Sequence, residues 1–405
     1  MTQQRHASVK TAPKALSVAS ELRDDVRQLV VTWPGGAESK YPYAWLRDSC
    51  RCPKCYLDSS KSRLLSMHTW RFYTKPSDVQ IDEAADEMIV TWDDGHVSNY
   101  GLQWLQGKQF TTTARKQRMR LLPLKPVMWG RREMQNNVPS DTFENIMTKD
   151  SSLLNWIENM ERTGLFLMKQ TPQEEGQIRK FADRISHLRR TNYDEEFQVR
   201  AKMQAKNHAY TSATLGLHTD LADYQYTPGI QMLHCIKQVP TKGGDSIFSD
   251  GFYVAELVKK LRPDLYQILV ETTLEFRDIG EEDYEFHMIG RHRTITFNDF
   301  GEYEKITFNN QSRDYFLHVP IDKVNALYEA LHFYNDMLYR EDNHVKIKLQ
   351  PGEVACFHNY RVLHGREAFQ VLSEGERHLE GGFLDWDDVH SRRRMIMYQQ
   401  SNAQN

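Results

Sequence analysis

The sequence has no excess of charge of either sign and no long apolar run. Lys and Arg number 52 and Asp and Glu number 55, so the net charge is −3. This balance argues against nucleic acid and against an anionic lipid surface as the main partner. No apolar stretch reaches the ~18 residues of a membrane-spanning helix, so we expect a soluble protein without a membrane partner.

Cysteine is also scarce. The chain has 5 cysteines in 405 residues, an odd number that is too small for the disulfide framework of a secreted scaffold. A secretory signal is missing as well, because the N-terminus has no apolar core. These absences indicate a reducing compartment, and we expect a cytoplasmic protein.

The N-terminus leaves a mitochondrial location open as the alternative. Arg5, Lys10 and Lys14 precede the first acidic residue, Glu21. Such a basic start is weakly typical of a transit peptide, although a flexible tail over residues 1–25 is the simpler interpretation.

The motifs of several common enzyme classes are missing: the chain has no G-x-G-x-x-G, no Walker loop and no G-x-S-x-G. Its second part alternates short strands with helices, including predicted helices over 252–268 and 321–339 and a hairpin over 293–309. This mixture favours an α+β fold, with a jelly-roll (double-stranded β-helix) core and helical flanks, over a doubly wound parallel sheet.

A short repeat stands in the first part of the chain. Val31-Thr32-Trp33 returns 59 residues later as Val90-Thr91-Trp92, and each copy reads as strand, glycine turn, strand and short helix. We expect a small β-rich domain over 26–115, a basic and turn-rich linker over 116–135, and a larger domain over 136–405.

Three of the cysteines form a candidate metal site. Cys50, Cys52 and Cys55 are close enough in sequence for their thiolates to bind one ion, and zinc takes four nitrogen or sulfur ligands in a tetrahedron. His96, at the turn of the second hairpin, can supply the fourth ligand if the hairpins pack together, and His68 is the competitor. Such a site would be structural. The alternative is a set of three small buried thiols.

A second candidate metal site lies far from the first in sequence. His218 and Asp220 form an H-x-D pair, and on a strand both side chains would share a face. With His364 they make two imidazoles and one carboxylate, the facial triad of non-haem Fe(II) oxygenases, which leaves three metal positions open. A satisfied polar residue in a loop is the alternative interpretation of His218.

An arginine supports the triad. In the 2-oxoglutarate-dependent class the co-substrate chelates the iron, and its far carboxylate pairs with an arginine. Arg377 follows His364 by 13 residues, which suits a neighbouring strand, and a guanidinium can hold a carboxylate by two parallel hydrogen bonds. Ser246 could add a hydroxyl.

Longer segments resemble a known family. The chain is similar, from about Leu29 to Met397, to the Fe(II)/2-oxoglutarate-dependent oxygenase family of gamma-butyrobetaine dioxygenase, the last enzyme of carnitine biosynthesis, and of trimethyllysine dioxygenase. The strongest segments are Trp45-Leu46-Arg47-Asp48-Ser49-Cys50, Cys55-Tyr56-Leu57-Asp58-Ser59, Pro228-Gly229-Ile230-Gln231, Leu233-His234-Cys235 and Arg377-His378-Leu379-Glu380-Gly381.

The resemblance implies hydroxylation of gamma-butyrobetaine at C3 to L-carnitine, with release of succinate and CO2. It also implies Fe(II), 2-oxoglutarate, O2, ascorbate as reductant, a structural zinc and a homodimer. The family positions fall on Cys50, Cys52, Cys55 and His96 for zinc; His218, Asp220 and His364 for iron; Arg377 for 2-oxoglutarate; Tyr193, Phe197, Tyr210 and Phe383 for an aromatic cage around the trimethylammonium group; and Asn207 and Asn309 for the substrate carboxylate.

Two cage positions depart from the family pattern. Phe197 stands where a Trp is expected and Phe383 where a Tyr is expected. Since Trp is the best π partner of a cation, the cage could be weaker or its cation different. Ordinary core packing is the alternative interpretation of these aromatics.

Two other functions stay open at this point. The first is the same chemistry on another quaternary amine or amino acid, trimethyllysine above all. The second is a zinc-stabilised binding protein whose oxygenase domain is inactive.

Overall fold

The computed structural model describes residues 17–119, 121–200, 213–281, 284–370 and 377–403. The chain divides into two compact units, and the division falls between Leu122 and Pro123. Within the described ranges, each helix is too short or too polar to cross a bilayer.

The first unit is built from short antiparallel strands and small helices. β2 lies between β1 and β3 in one sheet, β7 lies between β6 and β8 in another, and β4 pairs with β5. The elements are β1 (Ala19–Arg23), β2 (Gln28–Thr32), β3 (Glu38–Pro42), α1 (Tyr43–Asp48), β4 (Tyr56–Leu57), β5 (Ser62–Arg63), β6 (Pro76–Asp82), β7 (Glu87–Trp92), β8 (Val97–Gly101), α2 (Leu102–Gln106) and α3 (Thr112–Met119).

The sequence repeat is a structural repeat. β2, β3 and α1 form one copy, and β7, β8 and α2 form the other. In each copy a buried indole donates to a serine hydroxyl across the turn, and each copy sends a tyrosine hydroxyl to a leucine carbonyl of the other. The distances are 2.7 Å for Trp33–Ser39, 2.9 Å for Trp92–Ser98, 2.7 Å for Tyr41–Leu105 and 2.5 Å for Tyr100–Leu46. These exchanged bonds fix how the two copies pack.

The second unit contains the larger core. Its elements are α4 (Arg131–Met134), β9 (Ser140–Thr142), α5 (Phe143–Thr148), α6 (Asp150–Arg162), β10 (Leu165–Lys169), α7 (Gln177–Ile185), β11 (Glu196–Arg200), β12 (Leu215–His218), β13 (Ile230–Lys237), β14 (Ser246–Asp250), α8 (Gly251–Leu261), α9 (Pro263–Glu271), β15 (Thr273–Glu281), β16 (Glu285–Arg293), β17 (Ile295–Phe297), β18 (Tyr303–Ile306), α10 (Ile321–Leu338), a 3-10 helix (Glu341–Asn343), β19 (His344–Ile347), β20 (Val354–His358), β21 (Val362–Arg366), β22 (His378–Leu384) and α11 (Trp386–Ala403).

Two sheets form this core. The larger has the order β11-β22-β13-β20-β10-β9 and the smaller has the order β12-β21-β14-β19. The chain passes repeatedly from one sheet to the other, from β12 to β13 to β14 and again from β19 through β20 and β21 to β22. This alternation is the jelly-roll expected from the sequence, and the predicted mixed fold with helical flanks is confirmed.

The larger sheet is buried on both faces. Along β20, Cys356 packs with Trp156 of α6 and Phe181 of α7, whereas the neighbouring Phe357 packs with Phe248 of the smaller sheet. Successive side chains on a strand point to opposite faces. The helices therefore cover one face, and the other faces the smaller sheet, where the candidate iron ligands lie.

Several sequence expectations need correction. The single helix expected over 252–268 is two helices, because Pro263 has no N–H to continue α8 and instead begins α9. The segment expected as a tail over 1–25 includes strand β1. The segment expected as a linker over 116–135 includes Trp129, which is 2% exposed and part of the second core. The hairpin of β15 and β16 was not anticipated.

A buried ion pair stabilises the second unit. Arg361 and Asp250 are both fully buried, with a 2.6 Å contact between guanidinium and carboxylate. Arg361 also donates to the carbonyls of Arg162 and Val127, and Asp250 accepts from the Trp129 amide. This network connects α6, β14 and the segment before α4.

We expect Asp250→Ala to lower the free energy of unfolding by about 3–5 kcal/mol, because it leaves a buried guanidinium without its counter-charge. Urea denaturation followed by tryptophan fluorescence measures the change. Asp264→Ala, which breaks the exposed Arg262–Asp264 pair, is the matched control and should leave the midpoint unchanged. Equal midpoints for both variants would contradict this role of the buried pair.

Candidate active site and metal centres

The structure brings His218, Asp220 and His364 together. β12 ends at His218 and pairs with β21, so that His218 lies directly opposite His364 and the two imidazole rings are 4.2 Å apart. Asp220 follows two residues later, with a carboxylate oxygen 3.0 Å from His218 Nε2 and another 3.9 Å from His364 Nε2. One ligand atom from each residue lies within 4.8 Å of the others.

The protonation of the cluster suits a metal ion. His218 Nδ1 donates to the carbonyl of Gly216 at 2.8 Å, which leaves the lone pair of Nε2 directed at the Asp220 carboxylate. Two acceptors in contact need a cation or a proton between them. Burial opposes ionisation of Asp220, but the two imidazoles lower its pKa to about 2. Burial and the neighbouring His218 lower the pKa of His364 to about 3. Burial opposes protonation of His218, but the contact with Asp220 raises its pKa, so a proton is favoured between these two groups in the metal-free site. A divalent iron would replace that proton and bind a charged carboxylate and neutral imidazoles.

Two side chains that sequence reasoning missed hold Asp220 in place. Gln231 Nε2 donates to the Asp220 carboxylate at 2.6 Å. Asn359, which is 1% exposed, accepts from the Asp220 amide at 2.8 Å and donates to the Asp220 carbonyl at 3.0 Å. Gln231 belongs to a segment that carried the family resemblance, so a signal existed for it. Asn359 had none.

A cavity of about 80 Å³ adjoins the three metal-ligand candidates. It lies between the inner faces of the two sheets. Its lining includes Phe197, Val199, Leu215, His218, Asp220, Gln231, Leu233, Ser246, Phe248, His364, Gly365, Arg366, Arg377 and Leu379.

Arginine side chains give this cavity a positive region. Arg377 is 3% exposed, and its Nε has no hydrogen-bond acceptor among the described residues. Arg366 lines the same cavity, and both guanidinium groups lie against the Phe369 ring, at 5.4 and 4.9 Å. Burial lowers the pKa of each arginine to about 10. Two buried cations suit an anionic ligand. The Ser246 hydroxyl is nearby, because Ser246 lies opposite Arg366 in the β14–β21 pair.

Arg366 was not among the expected site residues. It follows His364 by two positions on β21, and alternate strand residues share a face. The spacing could therefore have identified it.

The structure brings two of the expected cage aromatics together. Phe197 and Phe383 have ring centroids 5.4 Å apart, and Phe197 lines the cavity beside the metal ligands. A Cβ at Gly381 would lie 2.2 Å from the Phe197 ring, so glycine is required opposite this aromatic. Tyr193 donates its hydroxyl to Asp278 at 2.9 Å.

The amide-bearing candidates are placed differently. Asn309 donates to the Thr219 carbonyl at 3.3 Å and accepts from the amides of Gln311 and Ser312. It supports the loop next to Asp220 and lines a separate cleft of about 320 Å³, not the metal cavity. Asn207 and Tyr210 lie outside the described residues.

The cysteine cluster also converges. His96 Nε2 lies 3.2 Å from Cys50 Sγ and 3.6 Å from both Cys52 Sγ and Cys55 Sγ. Zinc bonds of ~2.3 Å to sulfur and ~2.0 Å to nitrogen place tetrahedral ligand atoms about 3.5 Å apart, so the four atoms fit one zinc ion. His68 stands elsewhere, where it contacts Ser66 at 2.8 Å.

Comparison with known proteins agrees with both halves of the chain. Residues 123–383 match the taurine catabolism dioxygenase TauD, TfdA family, and residues 20–106 match the gamma-butyrobetaine hydroxylase-like N-terminal family. The gamma-butyrobetaine dioxygenase of Homo sapiens is 34% identical over 384 residues, which span 95% of this chain and 98% of that protein. The chain belongs to the gamma-butyrobetaine dioxygenase family.

Other relatives, some of which are trimethyllysine dioxygenases, are also similar to this chain. The mitochondrial trimethyllysine dioxygenase of Gallus gallus is 34% identical over 95% of this chain and 90% of its own length. The gamma-butyrobetaine dioxygenase of Pseudomonas sp. (strain AK-1) is 32% identical over 89% of this chain and 92% of its own length.

For the cysteine cluster, we expect the wild-type protein to bind about one zinc ion per chain and Cys55→Ser to lose most of this zinc. The melting temperature of the variant should also fall, because zinc binding contributes to the folding of such a small unit. Metal content by mass spectrometry and melting by circular dichroism measure both effects. His68→Ala is the control and should retain its zinc. Loss of zinc in that variant would assign the fourth ligand to His68.

For the second metal site, we expect Gln231→Met to weaken Fe(II) binding by about 10- to 100-fold, because the Asp220 carboxylate loses its orienting donor. Anaerobic titration with Fe(II) measures the affinity, and Gln173→Met, on the surface, is the control. An unchanged affinity in Gln231→Met would exclude an orienting role for this amide.

Proposed function

We propose that this protein is a gamma-butyrobetaine dioxygenase, which hydroxylates gamma-butyrobetaine at C3 to L-carnitine and converts 2-oxoglutarate and O2 to succinate and CO2. The observation that carries the proposal is the convergence of His218, Asp220 and His364 on a cavity that also contains Arg377, within a chain similar to these enzymes over nearly its whole length.

The residues have distinct tasks in this proposal. His218, Asp220 and His364 would coordinate Fe(II) on one face of the ion and leave the other coordination positions open for ligands. When bound, the iron supplies the oxygen activation that a C–H bond requires. Arg377, with Arg366 beside it, would pair with the far carboxylate of 2-oxoglutarate, and the buried setting strengthens that pairing.

Positioning of the substrate would fall to the aromatic residues. Phe197 and Phe383 offer π faces next to the metal cavity, and a trimethylammonium group gains ~0.5–2 kcal/mol from each good contact. Fixing the cation fixes the distance from it to the reacting carbon. This selects one methylene among several of similar reactivity.

The second candidate function is hydroxylation of trimethyllysine or of another amine. It is favoured by the 34% identity to a trimethyllysine dioxygenase and by the two phenylalanines in the cage. An inactive binding protein is disfavoured, because its triad and buried arginine would have no use.

The remaining expectations belong to the same proposal. We expect a homodimer, ascorbate as the reductant of choice and a cytoplasmic location, with mitochondria as the alternative. Light scattering of the purified protein reports its assembly, and imaging of the full chain with a C-terminal tag reports its compartment.

The test is a mass-spectrometric assay of the purified protein with Fe(II), ascorbate and 2-oxoglutarate. Gamma-butyrobetaine and trimethyllysine are offered in parallel. A gain of one oxygen on gamma-butyrobetaine supports the proposal. A gain of one oxygen on trimethyllysine alone supports the second candidate function instead. If neither substrate leads to succinate, both candidate functions are contradicted.

In the same assay, we expect His218→Ala to abolish product and succinate, because the metal loses one of its ligands. The fold should persist, since the partners of His218 are confined to the site. His187→Ala, an exposed histidine of the same unit, is the control and should keep full activity. Turnover by His218→Ala at the wild-type rate would refute the ligand assignment.

A further inference from the structure

The unanticipated hairpin of β15 and β16 packs on the loop that carries Asp220. A Cβ at Gly290 would lie 2.3 Å from the Ala222 carbonyl, so β16 directly touches this loop. His292 Nε2 donates to the Tyr224 carbonyl at 2.8 Å, two residues further along the same strand. The inner face of the hairpin thus borders the site around the metal ligands.

This border carries negative charge. Asp278 of β15 accepts the hydroxyl of Tyr193, one of the expected cage residues, at 2.9 Å. Asp223 lies in the loop itself, is 4% exposed, and its Oδ2 has no hydrogen-bond partner in the part of the chain that the structure describes. The Asp223 loop also contacts the segment of Tyr193, because the Tyr224 hydroxyl accepts from the Asn192 amide and donates to the Asn192 side chain, both at 2.8 Å. Burial raises the pKa of Tyr193, and the charges of Asp278 and Asp223 raise it further.

Within the described ranges, Asp223 has no salt-bridge partner, and its Oδ2 lacks a hydrogen-bond donor. Lys305, a half-buried lysine near His292, donates to the Thr227 hydroxyl. A buried carboxylate oxygen without a donor is costly to keep. Burial, with Asp278 and Asp220 nearby, raises the pKa of Asp223 to about 6, so the group is still mostly charged at neutral pH. The unsatisfied oxygen therefore points to a cationic ligand.

The chemistry of the acceptor restricts the ligand. A quaternary ammonium group attracts a carboxylate only by charge, because it has no N–H. A protonated tertiary or primary amine adds a charge-assisted hydrogen bond, which is stronger than a neutral one. The two phenylalanines offer weaker π faces than a Trp would, so the carboxylate contributes a larger share of the selection here.

We propose that Asp223 binds the cationic group of the substrate directly, and that it extends the substrate range to protonated amines that carry an N–H. The proposal rests on the proposed function, since it concerns the cation end of the same substrate site. Asp278 acts as a positioning residue in this arrangement, because it accepts the hydrogen bond that holds the Tyr193 hydroxyl.

The test compares two ligands that differ by one methyl group. Protein loaded with Fe(II) and 2-oxoglutarate is titrated under anaerobic conditions with gamma-butyrobetaine and with 4-(dimethylamino)butyrate, so that binding is measured without turnover. We expect wild type to bind both. Asp223→Asn should lose about 10- to 100-fold in affinity for the dimethylamine, as expected for a charge-assisted hydrogen bond, and less for gamma-butyrobetaine. Asp299→Asn, an exposed change on the β17–β18 turn, is the control and should bind like wild type.

Thermal melting separates binding from a structural role. Asp223→Asn removes a buried charge without a partner, so its melting temperature should equal or exceed that of wild type. Affinities for both amines that match wild type would overturn the proposal, and so would failure of wild type to bind either amine. Binding with this selectivity but without hydroxylation in aerobic assays would support the cation site and contradict the proposed reaction alone.

Discussion

The catalytic unit depends on keeping one carboxylate, that of Asp220, ionised although three quarters of its side chain is buried. Burial alone would favour its neutral form. Two imidazoles and the Gln231 amide overcome that penalty, and Asn359 fixes the backbone on both sides of the residue. These partners come from β12, β13, β21 and the turn after β20. The site therefore exists only when the two sheets of the jelly-roll face each other.

Much of this could be predicted from the sequence, because the relevant signals are local. The offset of 59 residues between Trp33 and Trp92 predicted two similar copies of one motif in the first unit. The structure contains both copies, with equivalent hydrogen bonds. The predicted convergence of His218 and Asp220 is confirmed, but the expected reason is wrong, because Asp220 lies in the turn after β12 and not on the strand. Pro263 could also have been interpreted correctly, because proline begins a helix far more readily than it continues one.

The parts that escaped prediction are contacts between distant segments. Asn359 stands 139 residues from Asp220, and no periodicity connects them. The β15–β16 hairpin has one solvated face and one face against the Asp220 loop, and its burial alternates regularly along both strands. Its hydrophobicity does not follow that alternation, because Gly290 and His292 are at inward positions while Ile279 and Ile289 are exposed. Asn309 shows the opposite difficulty. Its residue type suits a substrate contact. Its side-chain amide is instead bonded to the Thr219 carbonyl and to the backbone amides of Gln311 and Ser312.

The buried charges of the site connect function with stability. Among the described residues, Arg377 and Asp223 each have one polar atom without a partner. Neutral residues of the same volume would make the folded chain more stable. Ligands that neutralise these charges bind the folded chain and not the unfolded one, so they raise the free energy of unfolding as their concentration exceeds the dissociation constant. An anion beside Arg377 and a cation beside Asp223 would each remove one penalty. The protein is therefore least stable when both ligands are absent. The charges that lower its stability are the same ones that distinguish a carboxylate from an ammonium group.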